Sequence, residues 1–217
     1  MFFKSKKAVD TTATINQIEN AVYEQMKKYG FRKFGRTLHR FVSGDMSQVI
    51  NFQCGQAYRD ETHLMWVNVG IRVPECVARS FDFENTKKYY HEYDCNIRTR
   101  LGAVKSRDSS KTTTFDLRKN TEKITREITA EIIDCVLPVF DLLSSRQAVL
   151  EHRREYPYFD TTNSHLILLE EAMIYGHLGE IEKAAETFEL YYTQARQEDR
   201  HIGHIEYLDE LRKKLKL

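Results

Sequence analysis

The chain has 217 residues, 41% hydrophobic, 30% charged and 12% aromatic, with 9 glycines and 3 prolines. That balance excludes a collagen-like, low-complexity or wholly disordered chain, and the length fits one large domain or a domain with a helical appendage. Lysine and arginine number 33 against 32 aspartates and glutamates, so the formal charge of +1 supplies no long-range field for a polyanion, and nucleic acid is not an expected partner.

The longest uncharged apolar run, Cys135 to Phe140, falls far short of the roughly 20 residues a membrane-spanning helix needs. Met1-Phe-Phe-Lys-Ser-Lys-Lys7 puts charge where a signal peptide would carry its apolar run, so a cytoplasmic location is expected. Cys54, Cys76, Cys95 and Cys135 are widely spaced and form no C-x-x-C pair. They read as small buried hydrophobes, and a four-cysteine zinc site would lack the usual short ligand spacing.

In chain order, residues 1–11 form a basic leader without periodicity. Thr14-x-x-Gln17 reads as a capping box. Behind it Ile15, Ile18, Val22, Met26 and Tyr29 make a helical stripe stopped by Gly30, which leaves Glu19, Glu24, Lys27 and Lys28 to water. The period then becomes two. Strands are expected over 36–42, 48–54 and 63–73, with a turn at Ser43-Gly44-Asp45, a polar loop at 56–62 and a stop at Pro74. Met65, Val67, Val69, Ile71 and Val73 share one face of the clearest strand, and Leu64, Trp66, Asn68, Gly70 and Arg72 the other. Tyr89, Tyr90 and Tyr93 suggest a short helix, and strands at 95–104 and 112–118 suggest a hairpin with a long, mobile tip.

From Asn120 the helical period returns. Ile124, Ile128, Ile132, Cys135, Val136, Val139 and Leu143 form a long stripe that Pro138 should kink or break. After Tyr156-Pro157, three further helices are expected: one with Leu166, Leu169 and Met173, one begun by Gly179-Glu180, and one from Ile202 to Leu215. Consecutive strands without intervening helices predict an α+β fold. Its mainly antiparallel five-stranded sheet is backed by the first helix and the long one. The expected domains are a sheet domain over 1–155 and a helical extension over 156–217.

Four segments resemble one family. They are Gly30-Phe-Arg-Lys-Phe-Gly-Arg-Thr-Leu-His-Arg40, Val49-Ile-Asn-Phe-Gln53, Trp66-Val-Asn-Val-Gly-Ile71 and Ile97-Arg-Thr-Arg-Leu-Gly102. In order and spacing they resemble the bacterial family named domain of unknown function 4304, over about residues 14–150. The resemblance implies a fold and no catalytic residue. Ala172, Tyr175, Gly179, Ala184 and Phe188 also resemble one tetratricopeptide-like hairpin, although a generic helical hairpin accounts for the same small residues.

Searches for chemistry are largely negative. The sequence has no G-x-S-x-G, P-loop, H-E-x-x-H or G-x-G-x-x-G. His201-x-x-His204 has a metal-compatible spacing without a third ligand, and no cofactor is expected. Cys54 and His39 could meet across strands, but Cys54 falls on the apolar face, where burial makes a thiol inert. Paired acids at Glu170-Glu171 and Asp82-Phe-Glu84 read as solvated, and Arg32-Lys-x-x-Arg36 reads as a charge-guarded edge strand. The informative feature is a polar sheet face. If the strands are neighbours, Asn51, Gln53, Trp66, Asn68, Arg72, Arg98 and Arg100 share it. Amides and guanidinium forks can read a carboxylate, a phosphate or a peptide backbone. The face could equally be solvated or covered by the C-terminal helices. The expected function is a non-enzymatic binding module with a protein partner or a second copy. The alternative is a small-molecule or phosphoester enzyme on the same face.

Overall fold

The computed structural model describes residues 10–55, 61–77, 88–160, 166–198 and 202–215. Helix α1 (Thr11–Met26) is capped by Asp10, whose carboxylate accepts the Ala13 amide at 3.0 Å. The helix therefore starts before the Thr14-x-x-Gln17 box, and Thr14 donates its hydroxyl back to the Asp10 carbonyl. An aspartate at this position satisfies an amide that the helix itself leaves unpaired. The stripe Ile15, Ile18, Val22 and Met26 is fully buried. A 3₁₀ turn (Lys27–Tyr29) closes the helix at Gly30, whose φ of +84° is the left-handed conformation glycine adopts without strain. Glu19 departs from expectation. It is buried, because Lys33 and Arg36 reach back over it at 3.3 and 3.5 Å, and burial pushes its pKa up.

Strands β1 (Arg32–Phe34), β2 (Thr37–Val42), β3 (Met46–Cys54), β4 (Leu64–Arg72) and β5 (Ile97–Arg100) lie side by side in chain order, every pair antiparallel. The charged edge is β1 itself. Two expectations change after β5. Residues 101–104 do not extend the strand but open helix α3 (Leu101–Ser106). Leu101, Gly102, Ala103 and Val104 are buried in succession, which a strand with one face on the core cannot do. Gly102 also lies against the Thr112–Thr113 backbone, where a Cβ would come within 2.3 Å of the Thr113 nitrogen. Nor does the hairpin form. Strand β6 (Phe115–Asp116) pairs with β4, through Leu64↔Asp116 and Met65↔Phe115. The reason is length: β5 covers only Asn68–Ile71 of β4 and leaves the start of that edge for another strand.

One face of the sheet carries the core. Met46, Ile50 and Phe52 of β3 and Met65, Val67, Val69 and Ile71 of β4 are buried with α1 and α4 (Thr121–Glu131) in one cluster. Each such side chain contributes about 1.5–3 kcal/mol over leaving it in water. Helix α4 is capped by Asn120, which accepts the Lys123 amide at 2.8 Å. The expected long helix is interrupted by a π-helical turn (Ile132–Val136) before α5 (Leu137–Leu142). Pro138 has no N–H for the turn behind it, and the backbone widens there. A further helix, α6 (Arg146–His152), was not expected, since its buried face is only Arg146 and Val149.

Helices α7 (Ile167–His177), α8 (Ile181–Gln197) and α9 (Ile202–Leu215) build a second core from Leu169, Met173, Phe188, Tyr191, Leu208 and Leu211. Helix α7 also packs against α2 (Pro74–Val77) and sends Ile174 into the main core. A buried polar chain joins the two. The Asn96 side chain accepts the Val73 amide at 2.8 Å and donates to Glu170 at 3.0 Å. Arg153, 2% exposed, pairs with Glu170 at 2.5 Å and with Asp160. Glu171 pairs with Arg154 at 2.6 Å. The Glu170-Glu171 pair is therefore buried in ion pairs, contrary to the expectation of a solvated helix face. Asp82, Glu84 and residues 56–60 of the expected 56–62 loop lie outside the described residues.

Candidate binding face

Opposite the core, the strand register assembles a polar face. Asn51 pairs with Asn68 and Asn68 with Arg100; Gln53 pairs with Trp66, Ser47 with Arg72, and Gly70 with Arg98. Because side chains alternate, Asn51, Gln53, Trp66, Asn68, Arg72, Arg98 and Arg100 all stand on this side. The face has two unlike halves.

The half toward the end of β3 is open. Gln53 and Arg100 are exposed, and Trp66 is half-buried. The Arg100 guanidinium lies 5.6 Å from the Trp66 ring. Asn68, buried between them, donates to Gln53 Oε1 at 2.9 Å, and Asn51 donates to the Thr37 hydroxyl at 3.1 Å. The arrangement offers three amides, one flat indole and one exposed guanidinium.

The other half is roofed, and not by the C-terminal helices. Residues 88–96 cross it as a strap, with one 3₁₀ turn (Glu92–Asp94) where a Tyr89–Tyr93 helix was expected. Tyr89 stacks on Phe34 at 4.6 Å, Tyr90 covers Arg72 at 3.9 Å, and His91 Nδ1 meets the Thr37 hydroxyl at 3.2 Å. Cys95 presses on Gly70, where a Cβ would lie 2.8 Å from the Cys95 Cβ. Glu92 pairs with Arg98 at 3.4 Å. The signal for the strap was present in the tyrosine cluster and in a glycine at mid-strand, which marks a close approach. Under the strap, His39 is held uncharged. Burial, and then the charge of Arg72, lower its pKa to about 4.

Other expected candidates do not assemble. Cys54 lies on the opposite face from His39, accepts from Arg36 Nη1 at 3.0 Å, and its thiol pKa is raised by burial. His204 Nε2 meets the Tyr191 hydroxyl at 2.9 Å between α8 and α9, and His201 lies outside the described residues. Among the described residues, no three His, Cys, Asp or Glu side chains are grouped to hold a metal, and no helix is long and apolar enough to cross a membrane.

No curated protein and no solved structure matches the chain. The model of one family, described as a domain of unknown function (DUF4304), matches residues 22–142. That span runs from the end of α1 through α5, takes in the sheet and its polar face, and is more than half of the chain: the protein belongs to the DUF4304 family.

Proposed function

We propose that the protein is a non-enzymatic binding module, and that the open half of its polar face docks an acidic, extended segment of a protein partner. The observation that carries this reading is Arg100, exposed and stacked on Trp66, with Gln53 and Asn68 in register beside it. Tryptophan and arginine dominate binding energy at protein interfaces. An arginine already held against an indole loses less freedom when a carboxylate arrives. The Gln53 amide can meet a peptide backbone. The second reading, an enzyme at the same face, requires a general base. The open half offers amides, guanidiniums and an indole, none of which accepts a proton at neutral pH. Four free thiols suit a reducing compartment, which supports placing the module in the bacterial cytoplasm.

The test is affinity capture with wild-type protein beside a Trp66→Ala/Arg100→Ala variant, with light scattering to register self-association. The expected result is a defined protein retained by the wild type and lost by the variant, whose melting temperature falls by no more than a few degrees. Identical retention by both would move docking off this face. A bound metabolite in place of a protein would favour the enzyme.

A further inference from the structure

The roofed half of the face holds a cation that has no counter-charge among the described residues. Arg72 is 4% exposed, yet among the described residues it makes no ion pair, and its Nε–H has no hydrogen-bond partner. The Tyr90 ring lies 3.9 Å from its guanidinium carbon. Buried charges are ordinarily paired, because stripping one of water is expensive. Two more buried polar atoms beside it are also unsatisfied. Ser47, the direct cross-strand partner of Arg72, is fully buried with its Oγ unbonded. His39, one strand further on and 2% exposed, has no partner for Nε2. The acids of the strap are engaged elsewhere, Glu92 with Arg98 and Asp94 with the His91 amide.

We propose that Arg72, Ser47 and His39 form a binding site for a small monocarboxylate. The guanidinium takes the carboxylate, while the Ser47 hydroxyl and the His39 imidazole, protonated on Nε2, donate to its oxygens. One guanidinium beside a neutral imidazole matches a single negative charge, whereas a phosphate dianion would leave excess charge beneath the Tyr90 ring. Val49, the cross-strand partner of His39, and Tyr90, whose ring lies beside His39 and Arg72, supply apolar neighbours. Phe41, opposite Ser47 and 52% exposed, borders the site on the solvent side. Groups buried this deeply, at 0–4% exposure, suit a small molecule rather than a polypeptide. The site lies apart from the open half, so loss of partner capture would leave it standing.

The test is thermal unfolding of the full chain in acetate, benzoate or phosphate, with chloride holding ionic strength constant. In wild type, carboxylates up to about 100 mM should raise the midpoint by roughly 2–4 °C. Arg72→Met, which keeps the length and drops the charge, should melt at one temperature in every salt. Ser47→Ala should show a smaller rise than wild type. A flat wild-type midpoint, or an equal rise in Arg72→Met, overturns the site. A larger response to phosphate than to acetate overturns the monocarboxylate assignment. Should Arg72→Met fail to fold, the Arg72 Nε–H resonance of the wild type decides: it moves with acetate at fixed ionic strength, or the site is refuted.

Discussion

The two faces of the β3–β4 pair are built from alternate residues of the same strands, yet they solve opposite problems. On the core face Ile50, Phe52, Val67 and Val69 are all but fully buried, and each makes the same demand: apolar volume that fits. On the polar face Asn68 donates to Gln53 and Asn51 to Thr37 across the strands, and Gln53 and Arg100 stay in water while the part beneath residues 88–96 is covered. Hydrophobic burial fixes the sheet from one side, which frees the other to carry charge, amides and unsatisfied donors. Stability and recognition are thus separated by a single step in register.

The sharpest way to break that separation is to mutate two neighbours. Phe52→Ala empties a fully buried site in the core and should cost about 3–5 kcal/mol in urea denaturation. Gln53→Ala, one residue on but facing the other way, should cost less than about 0.5 kcal/mol. Comparable losses at both positions would mean that the polar face is structural. The next largest effect concerns pH. His39 has its pKa lowered to about 4 in the fold, against about 6.5 unfolded, so the unfolded chain binds the extra proton more readily. The stability it confers is complete above about pH 6.5 and is lost as pH falls through 4. That loss should approach 3 kcal/mol. His39→Gln should flatten this limb when melting is compared from pH 7 to pH 4; an unchanged limb would show that the strap admits water to the ring.

What could be read from the sequence divides along the same line. Period-two alternation located β2, β3 and β4 and assigned the side chains of β3 and β4 to their faces, because a half-buried strand writes its geometry directly into residue order. The stripes of α1 and α4 were equally plain. Elements set by long-range contacts were not. The turn of the chain at Leu101 into α3 depends on the Thr112–Thr113 backbone lying against Gly102. Strand β6 found β4 because β5 was too short to fill that edge. Glu19 and Glu170 looked solvated because the cations that bury them come from distant positions, Lys33 and Arg36 for one and Arg153 for the other. The seven residues of the polar face were visible as a set, but the division of that face into open and roofed halves required the strap.

Gly70 tests that division. A Cβ at position 70 would meet Cys95 at 2.8 Å, so Gly70→Ala must lift the strap or shift the strand. Overpacking of this kind costs about 1–3 kcal/mol. Adding Cys95→Gly, which removes the opposing Cβ, should recover part of the loss. If Gly70→Ala is neutral, the strap rests loosely on the sheet and the roofed half is in effect open.

The smallest effect expected is in the open half. Trp66 and Arg100 sit on neighbouring strands, within cation–π reach at 5.6 Å, and the guanidinium end is exposed. At exposed sites such a pair contributes about 0.5–1 kcal/mol. A double-mutant cycle with Trp66→Leu and Arg100→Met should therefore return a coupling energy within that range. A value above it would mean that the pair helps to hold the sheet, and that Arg100 is not available to a partner. A value near zero would mean that Arg100 leaves the indole in solution, so a docking carboxylate would have to order it first. Only the intermediate result describes a guanidinium held in place yet still free to bind, and that condition separates a recognition surface from an ordinary polar face.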